Sequence, residues 1–210
     1  LERISHYQAG SKSNSVLICN QVYIIAIIMI FMYISIVGPL CRHTGLLWQD
    51  KLYVFGGQTS SIENSKVLWV FDFVKSSWKQ FGPMPNSDQV WPCSVHSHSC
   101  NFYTDDEGVD YMITSFGFLG EKIAEHTNEV WAYGLQANTW KNLFAHNQEN
   151  NSNNIPVPRS GQATAIVKGV LYAFGGDDSE RRFNDMWSFN LKSCEWQQIN
   201  LQGKIIPEVI

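Results

Sequence analysis

The chain has 210 residues, enough for one sizeable core, and carries a net charge of −4. Charged residues are few and aromatics plentiful, which suits a β-rich globular domain rather than a disordered one. No basic stripe accompanies this balance, which argues against a nucleic-acid surface.

The five cysteines, Cys19, Cys41, Cys93, Cys100 and Cys194, are odd in number and scattered. They suggest no disulfide framework, and a reducing compartment is the plainer reading.

Residues 1–15 are polar and carry no periodicity. Residues 22–37 are almost wholly apolar, and the segment 16–38 has the length of a membrane span, which needs about 20 residues. It is too long for a signal-peptide core, and no small-residue cleavage site follows. Arg3 and Lys12 precede it and Arg42 and Lys51 follow, so charge sets no orientation. Three readings stand. The segment is a transmembrane anchor, a buried strand or helix of the domain that follows, or non-native sequence such as a translated intron. Its Ile, Met, Tyr and Phe bias fits AT-rich codons, in keeping with the last. Against the anchor, only residues 39–42 separate it from the first strand. At about 3.5 Å per residue they would seat the domain against the headgroups. Localisation follows the same choice, cytoplasmic or membrane-anchored.

A first unit spans about 43–81. Strand 43–48 turns at Asp50-Lys51 into 52–57, which ends in Gly56-Gly57. A polar loop, 58–66, leads to 67–73, where Trp69, Phe71 and Phe73 alternate as a half-buried strand should. Strand 77–81 contains Trp78, and Gly82-Pro83-Met84-Pro85 ends it. A second unit spans about 93–144: an irregular strand 94–103, a turn at Asp105-Asp106-Glu107-Gly108, and strand 110–116. A loop at 118–127 then precedes strands 128–135 and 139–144. Residues 147–154 are rich in Asn and read as an exposed connection. The third unit, about 161–201, opens behind Pro158-Arg159-Ser160-Gly161 and runs through Phe174-Gly175-Gly176. A charged loop, 177–183, leads to Asn184-Asp185-Met186-Trp187-Ser188-Phe189 and then Trp196. Residues 202–210 are the start of a further repeat or a tail.

Three tryptophan pairs recur nine residues apart: Trp69 and Trp78, Trp131 and Trp140, Trp187 and Trp196. Gly56-Gly57 and Gly175-Gly176 precede the outer pairs, and Phe116-Gly117 precedes the middle one. Self-similarity at this period marks a repeat architecture. The pattern resembles kelch repeats, in which paired glycines follow an apolar strand and precede an aromatic strand and a tryptophan. The resemblance covers residues 39–201. It implies an all-β fold, an incomplete kelch-type β-propeller of about three four-stranded blades preceded by an apolar N-terminal segment. Closing a ring takes roughly four to eight blades, so the chain reads as part of a longer protein. The resemblance also implies a Pro and a His four apart before each first strand. Pro39 with His43 and Pro92 with His96 fit, and Gln162 takes the histidine's place in the third unit.

Cys93, His96, His98 and Cys100 form the sharpest chemical constellation, since alternate strand residues share a face. The spacing matches no closed zinc pattern, and the resemblance makes His96 a structural histidine. Neither a metal nor a cofactor is expected. No nucleophile elbow, phosphate loop or HExxH helix is present, so no catalytic residue is assigned. Asn150-Asn151-Ser152 is a glycosylation sequon that matters only outside the cell.

The tryptophans are packing residues, and function belongs to the loops the blades hold. The kelch resemblance implies a non-enzymatic protein-binding scaffold or substrate-recognition domain, in some members a ubiquitin-ligase adaptor. The candidate surface is Glu121, Lys122, Glu125 and His126 in one loop, with Asp177, Asp178, Glu180, Arg181 and Arg182 in the other. Alternatives are a membrane-anchored receptor with a propeller head and an oxidoreductase of the copper type.

Overall fold

The computed structural model describes residues 38–59, 63–83, 88–120, 125–145 and 154–200. The chain divides after Gly38, and the architecture below concerns the part that follows. Residues 16–37, the subject of the three N-terminal readings, lie outside the described residues, as do Asn150 and residues 201–210.

Among the described residues all regular structure is β. The first blade is β2 (Thr44–Trp48), β3 (Lys51–Phe55), β5 (Leu68–Asp72) and β6 (Ser77–Phe81). The second is β7 (Ser99–Thr104), β8 (Asp110–Phe118), β9 (His126–Gly134) and β10 (Thr139–Phe144). The third is β11 (Ala163–Val167), β12 (Val170–Phe174), β13 (Met186–Asn190) and β14 (Glu195–Ile199). Each is an antiparallel meander in chain order, and a short β1 (Leu40–Cys41) pairs with β4 (Gln58–Thr59) beside the first. Strand β7 runs close to both β2 and β11, so the first strand of each blade is the innermost. This is the incomplete kelch propeller that the repeats imply.

The nine-residue tryptophan spacing has a simple geometric cause. The outer hairpin of each blade pairs Phe71 with Trp78, Tyr133 with Trp140, and Phe189 with Trp196. Ring centroids in these cross-strand pairs lie 5.0, 5.0 and 4.9 Å apart. The other tryptophan of each pair sits two residues earlier, edge-on to its partner at 6.4 Å in the first two blades. Such cross-strand aromatic pairs stabilise a sheet by up to about 1 kcal/mol each.

Two cores join the three blades. Tyr53, Phe55, Leu68 and Val70 of the first pack against Met112, Tyr133 and Trp140 of the second. Ile113, Phe116, Val130 and Ala132 of the second pack against Leu171, Trp187, Phe189 and Trp196 of the third. At each junction an aromatic from one blade lies over the outer tryptophan of the next: Phe55 over Trp140 at 4.8 Å, and Phe116 over Trp196 at 5.4 Å.

The register corrects one sequence assignment. Thr44 pairs with Phe55, Ser99 with Ser115, and Ala163 with Phe174. The residue before each first strand is therefore His43, His98 and Gln162, and His98 rather than His96 is the counterpart of His43. The irregular first strand of the second blade begins at Ser99, five residues later than the sequence pattern suggested. The same register makes Phe116 the counterpart of Gly56 and Gly175. It adopts φ 60°, beside 64° and 71° at the two glycines. A bulge between Ser115 and Gly117 accommodates it. Because Ser115 stands where the first blade has Phe55, this shift by one residue restores an aromatic over the next tryptophan.

The second residue of each pair, a glycine in all three blades, approaches its own blade's lead-in closely. A Cβ would lie 2.7 Å from His43 Cβ at Gly57, 2.4 Å from Val95 Cγ2 at Gly117, and 2.7 Å from the Ser160 carbonyl at Gly176. Their φ values of 93°, 118° and 88° already disfavour a side chain. Gly57→Ala and Gly117→Ala should each cost about 2 kcal/mol or more. Gly45→Ala, where the nearest atom is 3.7 Å from the added Cβ, should be close to neutral. Urea unfolding midpoints check the contrast.

Candidate partner-binding face

The antiparallel meander places the glycine pairs, the loops that follow them and the lead-ins to the innermost strands at one end of the blades. Here each sheet is prolonged by one extra rung of bridged residues. Cys41 pairs with Gln58, which bridges to Asn64. His96 bridges to Phe118, which pairs with His126. Ser160 bridges to Asp177, which bridges to Arg182.

The lead-ins are stitched to one another. Ser97 N–H donates to the Arg42 carbonyl at 2.9 Å, and Gly161 N–H donates to the Ser97 carbonyl at 3.1 Å. All three residues are left-handed, with φ 56°, 52° and 69°. Between the second and third rungs lies a groove of about 430 Å³ lined by Arg42, His96, Ser97, Phe118, His126, Ser160, Gly161, Asp177 and Ser179.

The predicted surface residues distribute unevenly around it. Glu121 and Lys122 lie outside the described residues, and Glu125 is half-buried. His126 is not on a loop: β8 and β9 reach further than the sequence pattern suggests, and pairing with Phe118 leaves it 6% exposed in the groove. Burial lowers its pKa, while Asp177 and Asp178 pull the other way. Asp177 lines the groove. Asp178 folds its own turn, accepting from Glu180 N–H at 3.1 Å, Arg181 N–H at 2.8 Å and Arg181 Nε at 3.2 Å. Glu180, Arg181 and Arg182 are exposed at the rim.

The Cys93, His96, His98, Cys100 constellation does not converge. Among the described residues no group of three or more His, Cys, Asp or Glu could hold a metal. His98 Nε2 instead bonds Thr44 Oγ1 at 2.6 Å, tying β7's lead-in to the first blade. Burial, with lesser contributions from His43 and His96, pushes the His98 pKa down to about 3. Burial also pushes the Cys100 thiol up to about 12.

The site also depends on Arg159, which the repeat pattern places in a lead-in without giving it a role. It is 1% exposed and holds the lead-in of the third blade in place. Its guanidinium donates to both oxygens of Asp185, to the Gly175 carbonyl at 3.1 Å and to the Val157 carbonyl at 2.9 Å. It also lies 3.9 Å from the Phe183 ring centre. Burial acts to raise the Asp185 pKa, but hydrogen bonds from Arg159 and Trp187 outweigh it and hold the carboxyl below its usual range. A lone arginine between Pro158 and Gly161, followed by Asp185 before the tryptophan strand, is the signal that marks this pair.

The comparisons with known proteins agree with this architecture. A family model described as the KLHDC2/KLHL20/DRC7 Kelch-repeats domain matches residues 10–209. The chain belongs to the kelch-repeat family. The match crosses the apolar segment 16–38. Among the described residues no helix is long and apolar enough to cross a membrane. Kelch-like protein 40 of Xenopus laevis is 25% identical over 166 residues, covering 75% of this chain and 23% of the relative. Leucine-zipper-like transcriptional regulator 1 of Homo sapiens is 24% identical over 169 residues, covering 79% and 19%. Kelch domain-containing protein 10 of Xenopus tropicalis is 26% identical over 164 residues, covering 71% and 35%. The chain thus spans between a fifth and about a third of these relatives' lengths.

Two outcomes follow from the buried groups. Asp185→Ala leaves Arg159 buried without a counter-charge and should cost about 3–5 kcal/mol. Arg159→Met leaves Asp185 with a side chain 24% exposed to water, so its cost should be smaller; chemical denaturation ranks the two. His98 in the unfolded chain takes up a proton near pH 6.5, whereas the folded chain holds it neutral to about pH 3. Stability should therefore be full above pH 6.5 and decline as pH falls from there toward 3. His98→Gln should flatten that decline in a pH series of urea midpoints.

Proposed function

We infer that the blades are a non-enzymatic protein-binding module whose partner sits on the face carrying the glycine-pair loops. The observation that supports this most is the groove between the second and third rungs, bordered by Arg42 of the first blade's lead-in. Its backbone is held by the stitched lead-ins, while its side chains differ from blade to blade. A rigid frame with variable residues at its mouth is the physical form of a recognition surface. The exposed rim beside it, Glu180, Arg181 and Arg182, offers charge that can steer and orient a partner.

The kelch relatives favour a role within a larger protein, in which these blades select the partner and other segments act on it. A substrate-recognition role in a ubiquitin-ligase adaptor fits that division of labour.

Charge reversal of the rim, Arg181→Glu with Arg182→Glu, should weaken capture of a native partner by about fivefold or more and flatten its loss with salt. Quantitative pull-down of partners from cell extract by the parent chain and the variant checks this. Recovery of every partner at parental levels would remove the rim from the binding surface.

A further inference from the structure

The three rungs occupy equivalent backbone positions but present different chemistry. The first carries uncharged polar groups, Cys41, Gln58 and Asn64. The third carries Ser160, Asp177 and Arg182. The second is three rings. His96 stacks on Phe118 with centroids 5.1 Å apart and planes at 29°, and His126 meets Phe118 edge-on at 4.9 Å and 78°. Both imidazoles are buried, whereas Phe118 is partly open at the groove floor.

This floor is held from several sides. Phe118 N–H donates to the His96 carbonyl at 2.9 Å, and His96 N–H returns the bond at 3.1 Å. Asn64 Nδ2 donates to the Phe118 carbonyl at 3.0 Å, and His96 Nδ1 shares a hydrogen bond with Ser97 Oγ at 2.9 Å. A ring fixed in this way offers an aromatic surface whose ordering cost is already met by the fold.

The groove also has polarity across it. Arg42, from the first blade's lead-in, is exposed and makes no ion pair among the described residues. Asp177, from the third blade, accepts from Ser179 N–H at 3.1 Å and likewise makes no ion pair among the described residues. The aromatic rung lies on the blade between them. A cation, a ring and a carboxylate thus line one depression, contributed by three successive blades.

Resting on the partner-binding reading above, we propose that this groove takes an extended partner segment in which an aromatic residue is flanked by one acidic and one basic residue. The ring lies on Phe118, the acid meets Arg42 and the base meets Asp177. Aromatic pairing and two opposed charge contacts then select both the side chain and its flanks.

Four capped peptides with central triplets Glu-Phe-Lys, Glu-Ala-Lys, Lys-Phe-Lys and Glu-Phe-Glu test this by NMR titration of the full chain. Glu-Phe-Lys should bind roughly fivefold or more tightly than each of the others. Arg42→Glu should make Lys-Phe-Lys the best ligand. Asp177→Asn, which retains the cap on Ser179, should erase the preference for Glu-Phe-Lys over Glu-Phe-Glu. Equal affinity for all four peptides, or an order unchanged in both variants, overturns the groove assignment. If that happens while rim reversal still weakens partner capture, only the groove assignment fails. If rim reversal is silent while the peptides discriminate as expected, the groove stands and the rim is excluded.

Discussion

The first two blades are each clasped to the next by a backbone hydrogen bond from the glycine that ends the Gly56-Gly57 or Phe116-Gly117 pair. Gly57 N–H donates to the Val95 carbonyl at 2.8 Å, and Gly117 N–H donates to the Arg159 carbonyl at 2.9 Å. The bond requires the chain to turn left-handed and to press against its own lead-in, which leaves no room for a Cβ. Much else follows from that constraint. It sets the distance at which Phe55 and Phe116 reach the outer tryptophan of the following blade, and so closes the two inter-blade cores. It also holds the lead-ins near the axis, where Arg42, Ser97 and Gly161 link in series and shape the groove.

The residues accepting these bonds show how one backbone tolerates opposite side chains. Val95 and Arg159 occupy the same position in successive lead-ins, one apolar and one a buried cation. The cation is acceptable because Asp185, two carbonyls and the Phe183 ring surround it. Asp185 also takes the indole N–H of Trp187 at 2.7 Å. In the second blade Glu129 does the same for Trp131 at 2.9 Å, although the lead-in beside it has no arginine. The acid two residues before the tryptophan therefore has a role independent of the ion pair: it satisfies a donor that packing would otherwise bury.

At the mouth of the propeller the backbone frame and the side chains it presents are separated in the same way. The rungs are built by main-chain bridges, so their side chains can vary without altering the blades. The second blade uses that freedom for rings and the third for charge. This is the expected relation between a repeat scaffold and recognition, in which function resides in substitutions the fold does not feel.

The blades were legible in the sequence because their signals are local. Trp78 lies opposite Phe71, and Trp196 opposite Phe189, through hairpins only a few residues long. Paired glycines mark turns whose geometry few other residues accept. The candidate site was legible only in part. Asp177 could be placed at the mouth from its loop, but His126 could not be placed in a buried rung, because one bulge at Phe116 lengthens two strands. Likewise, spacing from Pro92 selects His96 as the partner of His43, whereas hydrogen-bond register selects His98. Repeat type, strand order and the packing role of the tryptophans are thus properties of the chain itself. Which histidine faces the neighbouring blade, that Arg159 is buried, and which side chains share a groove depend on contacts between residues distant in sequence. Local periodicity carries no information about those contacts, and only folding brings them together.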